Sequence, residues 1–326
     1  MINVVDKSTD SLDDQCLHFE IGDISVSVRS DVRELLQDVT ALYPGCRLRA
    51  PAPDRTIHME VRETGRSMLG RRRYRVYGDG EEIGAERRCE ELFPFLEWGI
   101  NWRVIATRLE YLLVHAATMV RSGQGFMFAG GSGSGKSTLV AGLLTRGWGY
   151  LCDEFALIDP GTFRLHPFPK AVCIKAGSFD IIKCLKLPLA RRRYYVKGLK
   201  GRVGYINPSD VGPSAVAGPS PVRFVIFPKY TAGGKPGLHP VSRARAAFAL
   251  SGCALNRNAF GDRALSVLAE VVRGAECFSL ESGPIDETCD LVESLLVGVS
   301  PCSGNDRPGR SPNLQQTSRM CGHEQI

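Results

Sequence analysis

Apolar and polar positions alternate along CLHFEIGDISVSV, residues 16–28, with Ile24, Val26 and Val28 on one side, which predicts a pair of strands. DVRELLQDVTALY then sets Val32, Leu35, Leu36, Val39 and Leu42 at helical spacing. YRVYGDGEEIGAE reads as a hairpin about Asp79-Gly80. A long helix is expected from about Glu90 to Tyr111, its apolar stripe carried by Ile100, Val104, Ile105, Leu109 and Leu112. LLVHAATMV and FMFAG follow as strands joined by the turn RSGQG, then a helix from Lys136 to about Arg146 that stops at Gly147. WGYLCDEFALID is the next strand. Further on, AVCIKAG and VRFVIFPKY predict strands, and VSRARAAFALSGCAL and RALSVLAEVVRGA predict helices. Strands and helices interleave as in an α/β fold. Three regions are expected: a small α+β unit over 1–89, a main domain over 90–300, and a disordered tail over 301–326 rich in Ser, Pro, Gly and Asn.

Composition narrows the class. A chain of 326 residues with 43% hydrophobic and 23% charged residues is an ordinary globular protein. The net charge of +6 is too small to argue for nucleic acid. No apolar run reaches the roughly 20 residues a membrane span needs. The 11 cysteines are scattered, form no C-x-x-C pair, and follow no secretory leader. They read as free thiols in a reducing cytoplasm.

The chemistry sits in FAGGSGSGKSTLV, residues 128–140. Gly130, four residues, then Gly135-Lys136-Ser137 fits the phosphate-loop pattern, between a strand and a helix as that pattern requires. Glycines let backbone N–H groups converge on phosphate oxygens, and the helix directs its N-terminal dipole at the same anion. Gly130, Gly131, Ser132, Gly133, Ser134, Gly135, Lys136, Ser137 and Thr138 are therefore the expected ATP-binding set. Lys136 would reach the β- and γ-phosphates, and Ser137 would hold Mg²⁺.

Asp153 and Glu154 follow Lys136 by 17 and 18 residues, the length of one helix and one strand. An acid there can orient Mg²⁺ and a second can take a proton from an attacking hydroxyl. Both reach one site only if the strand ends or twists at them; otherwise they are solvated strand-end acids. His115 comes from a different argument. If the hairpin turns near Gly123, partner numbers sum to about 246 and His115 faces Gly131. A histidine there can contact phosphate or orient the acids, whereas a lone strand histidine is commonly a core residue.

These residues together, VHAATMV…FAGGSGSGKSTLVAGLLTRGWGYLCDEFALID, resemble the core of bacterial HPr kinase/phosphorylase. They resemble more closely the HPr-kinase-related proteins of peptide-modification and lasso-peptide clusters. The resemblance implies a nucleotide domain like that of phosphoenolpyruvate carboxykinase, and a kinase acting with ATP and Mg²⁺ on a serine of a protein or peptide. It is strong over about residues 112–160 and weaker to about 260. By position it makes His115, Lys136, Asp153 and Glu154 the catalytic set, with Ser137 and Asp153 at the metal. Glu154 stands where the family has an aspartate that accepts the serine proton. The family's acid-arginine-glycine segment, tied to phosphorolysis, corresponds here to GLKGRVGYINP, which lacks the acid, so a kinase without phosphorylase activity is implied. Arg202 in that segment is a possible phosphate or substrate contact, and RRRYYVKGLKGR, residues 191–202, a possible guide for an acidic peptide. A homo-oligomer is a further option, since the HPr enzymes form hexamers. Two other readings stay open: a small-molecule kinase of the nucleoside-monophosphate or shikimate type, and an ATP-binding regulator without phosphotransfer.

Overall fold

A computed structural model describes residues 15–43, 56–189, 194–212 and 215–296. The expected tail lies outside these residues. The chain begins with β1 (Cys16–Ile21), β2 (Ile24–Ser30), α1 (Arg33–Leu42), β3 (Ile57–Arg66), β4 (Arg72–Gly78), β5 (Glu81–Glu82) and α2 (Leu92–Thr107). The five strands form one sheet in sequence order. Leu35, Leu36, Val39 and Leu42 of α1 and Phe93, Leu96, Ile100 and Val104 of α2 are buried against it. α2 is shorter than its apolar pattern predicts. It stops at Thr107, Leu109 is exposed, and Leu112 already belongs to the next strand.

Next come β6 (Leu112–Arg121), β7 (Gln124–Ala129), α3 (Lys136–Thr145), β8 (Gly149–Cys152), β9 (Phe155–Ile158), β10 (Arg164–His166), β11 (Val172–Lys175), α4 (Phe179–Cys184), β12 (Tyr195–Val196), β13 (Arg202–Ile206) and β14 (Ser220–Tyr230). β15 (Gly237–Pro240), α5 (Arg243–Cys253), α6 (Arg257–Phe260), α7 (Arg263–Arg273), β16 (Glu276–Ser282) and α8 (Ile285–Ser294) complete it. The main sheet runs β10-β9-β6-β7-β14-β16-β15, with β8 also paired to β6; β11, β13 and β12 form a separate small sheet.

Alternation along each strand divides the core. Leu112, Val114 and Ala116 of β6 pack with α5 and α7, while Ala117 and Met119 face α3 with Phe126 and Phe128 of β7. Leu113, Phe155 and Leu157 instead join the core of the N-terminal sheet, so that unit packs directly on the start of β6 and on β9. β7, β14 and β16 are mutually parallel, and β6 runs antiparallel to β7. The ends of β7, β14, β16 and β8 and the early residues of β6 therefore meet at one edge of the sheet, where α/β folds build ligand sites.

Candidate active site

The cleft at this edge has a volume of about 430 Å³. It is bordered by His115, Lys136, Ser137, Thr138, Asp153 and Glu154, and by Ser132, Gly133 and Gly135 of the glycine-rich loop.

That loop leaves β7 and enters α3 without a side-chain cap. Gly133 and Gly135 take φ of +91° and +95°, where a side chain strains the backbone. A Cβ on Gly131 or Gly133 would meet nothing within 4 Å, so the loop backbone is open to the cleft. The Lys136 ammonium curls back onto the loop, donating to the Gly130 carbonyl at 2.5 Å and the Gly131 carbonyl at 2.9 Å. Burial lowers its pKa, against an opposing pull from Glu154. Ser134 Oγ is buried and, among the described residues, has no hydrogen-bond partner. The Thr138 and Ser178 hydroxyls lie 2.8 Å apart, and Lys175 donates to Ser132 Oγ at 3.0 Å.

His115 sits one residue off the expected register. Ala116 pairs with Ala129, so His115 lies across from Gly130 rather than Gly131, just where β7 ends. It shares the α3 face with Ala117, between the two cores. Its Nδ1 is 4.0 Å from Glu154 Oε1. Burial, then the Lys136 charge, hold its pKa below the ordinary histidine value, which favours the neutral ring.

WGYLCDEFALID forms two strands, not one. β8 ends at Cys152, β9 starts at Phe155, and the chain bends at Asp153-Glu154. The Cys152 sulfur, buried with its thiol pKa pushed up to about 12, accepts from the N–H groups of Glu154 and Phe155 at 3.4 and 3.3 Å. This interruption brings both acids to the cleft, which an unbroken strand would not do. Asp153 is 4% exposed and accepts from the Cys173 N–H at 3.1 Å; the Tyr150 hydroxyl lies 3.3 Å from its other oxygen. Burial raises its pKa, against an opposing pull from Lys170. For Glu154, burial also pushes upward, but Lys170 and Lys197 outweigh it and its pKa falls below the usual carboxylate value.

The sequence reading missed the charges behind these acids. Lys170, 1% exposed, lies 2.5 Å from Glu97, 3.5 Å from Asp153 and 3.7 Å from Glu154. Glu97 also accepts from Lys197 at 2.7 Å and the Tyr205 hydroxyl at 3.0 Å. No motif marks Lys170 or Glu97; the sole signal is a charged residue inside an apolar stretch, FPFLEWGI or HPFPKAVCI. In the basic stretch after β12, Lys197 and Lys200 border the cleft. Arg202 does not: its guanidinium stacks on Tyr194, 3.8 Å from the ring centre.

Residues 100–183 match the family model described as SynChlorMet cassette protein ScmC, a segment shorter than half the chain that includes the loop, the acid pair and Lys170. No curated protein matches the chain. Among solved structures, the HPr(Ser) kinase/phosphatase from Coxiella burnetii is similar at 16% identity, over 57% of this chain and 93% of that one, with a TM-score of 0.27. An overlap that loose carries no weight, and the reading below rests on the residues of the cleft. Among the described residues, no helix is long and apolar enough to cross a membrane.

Proposed function

We propose that this protein is an ATP-dependent serine kinase, HPr-kinase-like, which moves the terminal phosphoryl group of ATP to a serine hydroxyl of a protein or peptide. The observation that carries this reading is the shared border of one cleft: a lysine on an open glycine loop, a neutral histidine and two carboxylates. A cleft that only binds Mg·nucleotide has no need of the histidine or of a second carboxylate.

The residues fit a nucleotide and its cation. The loop presents glycine backbone N–H groups free of Cβ atoms, and Ser134 carries a buried hydroxyl with no partner among the described residues. Among the described residues no three His, Cys, Asp or Glu side chains gather as a metal cage. Ser137 and Asp153 would hold Mg²⁺ together with phosphate oxygens, as such sites commonly do. When bound, Mg²⁺ neutralises charge developing on the phosphoryl oxygens.

The chain's own groups then divide the work. Lys136 leaves its loop carbonyls to meet the β- and γ-phosphate oxygens. Neutral His115 donates or accepts one hydrogen bond at the transferring group without adding charge. Glu154, ionised because Lys170 and Lys197 face it, orients the acceptor hydroxyl and takes its proton as the P–O bond forms. A weak base suffices here, because the hydroxyl acidifies late in a loose phosphoryl-transfer transition state. Lys200 stands at the cleft border as a counter-charge for an acidic acceptor, while Lys197 beside it is committed to Glu97.

The test is incubation of the full chain with Mg²⁺, ATP labelled at the γ-phosphate, and a library of serine peptides. Label on peptide serine supports the kinase. Label on a metabolite in a cell extract, with none on peptide or protein, supports a small-molecule kinase. Tight ATP binding with no labelled acceptor contradicts phosphotransfer.

A further inference from the structure

Lys170 is a buried cation that the mechanism above uses only to keep Glu154 ionised. It is 1% exposed and does not border the cleft, so it cannot meet the nucleotide or the acceptor. Among the described residues it alone lies within ion-pair distance of both Asp153 and Glu154. Its shortest ion pair is to Glu97 of α2.

We propose that Lys170, clamped by Glu97, is a positioning residue that holds the Asp153 and Glu154 carboxylates side by side at the cleft. The inference rests on the kinase reading and gives the N-terminal region a part in it. Carboxylates on consecutive residues repel, and a cation between them offsets that repulsion at short range. The ammonium would be a poor strut if it could wander. Two features prevent this. Glu97 is 2% exposed, and each of its oxygens is taken: one by Lys170, the other by Lys197 and Tyr205. The backbone under Lys170 is stiff as well. It follows Pro167-Phe168-Pro169, where two fixed φ angles flank a fully buried ring.

That loop is also braced by the N-terminal sheet. Gly22, in the turn between β1 and β2, has φ of +66°, and a Cβ there would lie 2.1 Å from the Pro167 carbonyl oxygen. The N-terminal elements therefore touch the Lys170 segment twice, by backbone at Gly22 of the first sheet and by charge at Glu97 of α2. The acid pair sits at the bend between β8 and β9, yet its orientation is set from α2.

The experiment compares wild type, Lys170→Met, Lys170→Arg, Glu97→Gln and the Glu97→Gln/Lys170→Met double variant. The acceptor is the serine peptide that the wild type labels best, and Mg·ATP affinity is measured by calorimetry. Lys170→Met is expected to lower kcat by about 100-fold, the effect of a misplacement of the order of 1 Å, with ATP affinity little changed. Lys170→Arg should recover most of the rate. Glu97→Gln should lose less than Lys170→Met, and the double variant no more than Lys170→Met alone, because Glu97 acts through Lys170. Wild-type kcat in Lys170→Met overturns the inference and leaves the kinase reading standing. So does a loss that falls equally on ATP affinity, or one that arginine does not rescue. If Lys170→Met does not fold, Glu97→Gln decides: a fall in kcat at unchanged ATP affinity supports the clamp, and an unchanged kcat refutes it. A wild type that labels no acceptor removes both.

Discussion

Two lysines near this cleft differ in role because their surroundings differ. Among the described residues Lys136 donates to two loop carbonyls, which a phosphate can replace. Lys170 is locked among three carboxylates. Charge-assisted contacts of the Lys136 kind contribute about 1.5–3 kcal/mol, so Lys136→Ala should weaken ATP binding by roughly 10- to 100-fold. Its melting temperature should stay near that of wild type; calorimetry and thermal unfolding check the two parts. Glu97 supplies a pH prediction. Burial pushes its carboxyl upward, but Lys170 and Lys197 outweigh burial and hold its pKa at about 2, against 4.5 for a free glutamate. A depressed carboxyl stabilises the fold above the unfolded value and loses that contribution as pH falls toward the folded one. Melting temperature should therefore drop as pH goes from about 4.5 to about 2, and less steeply in Glu97→Gln. Lys136, Ser137, Asp153 and Glu154 were legible because local spacing ties them to one loop and the strand after it. Lys170 and Glu97 were not, because their partnership joins positions 73 residues apart and leaves no local pattern.

The elements that carry the site are a loop and a bend, each dependent on one residue type. Gly133 has room for a side chain but the wrong φ for one. Gly133→Ala therefore tests backbone conformation without a clash. Forcing a non-glycine residue into this region costs roughly 1–2 kcal/mol, so ATP should bind about 10-fold more weakly while the fold persists. The loop was readable from its glycines, and the β6–β7 hairpin from its alternation, to within one residue of register. The break between β8 and β9 was not readable. Hydrophobic alternation sees apolar residues on both sides of Asp153-Glu154 and joins them. What interrupts the strand is a buried thiol accepting two N–H groups, a contact that leaves no mark on periodicity. The length of α2 was misjudged for a related reason: Tyr111 is buried with the N-terminal sheet and Leu112 opens the next strand, so neither continues the helix.

At the scale of the molecule, the N-terminal sheet buries the start of β6 and β9 and reaches the Lys170 loop through Gly22. Gly22→Ala places a Cβ against a backbone carbonyl that cannot easily yield, at a positive φ. The melting temperature should fall by about 5–10 °C, for a strain of a few kcal/mol. This coupling between the first sheet and the acid pair was hidden from the sequence, where the first 89 residues read only as a small α+β unit. The α/β class was open to view, since strands and helices alternate visibly; the packing of one sheet on another was not, because buried faces do not name their partners. The most direct test of the whole account is transfer of label from γ-phosphate-labelled ATP to a serine peptide, by wild type and by Glu154→Gln. The account predicts phosphoserine with wild type and at least a 100-fold slower rate with the variant, the scale of general base catalysis. Equal rates, or ATP bound by both with serine never labelled, would contradict it.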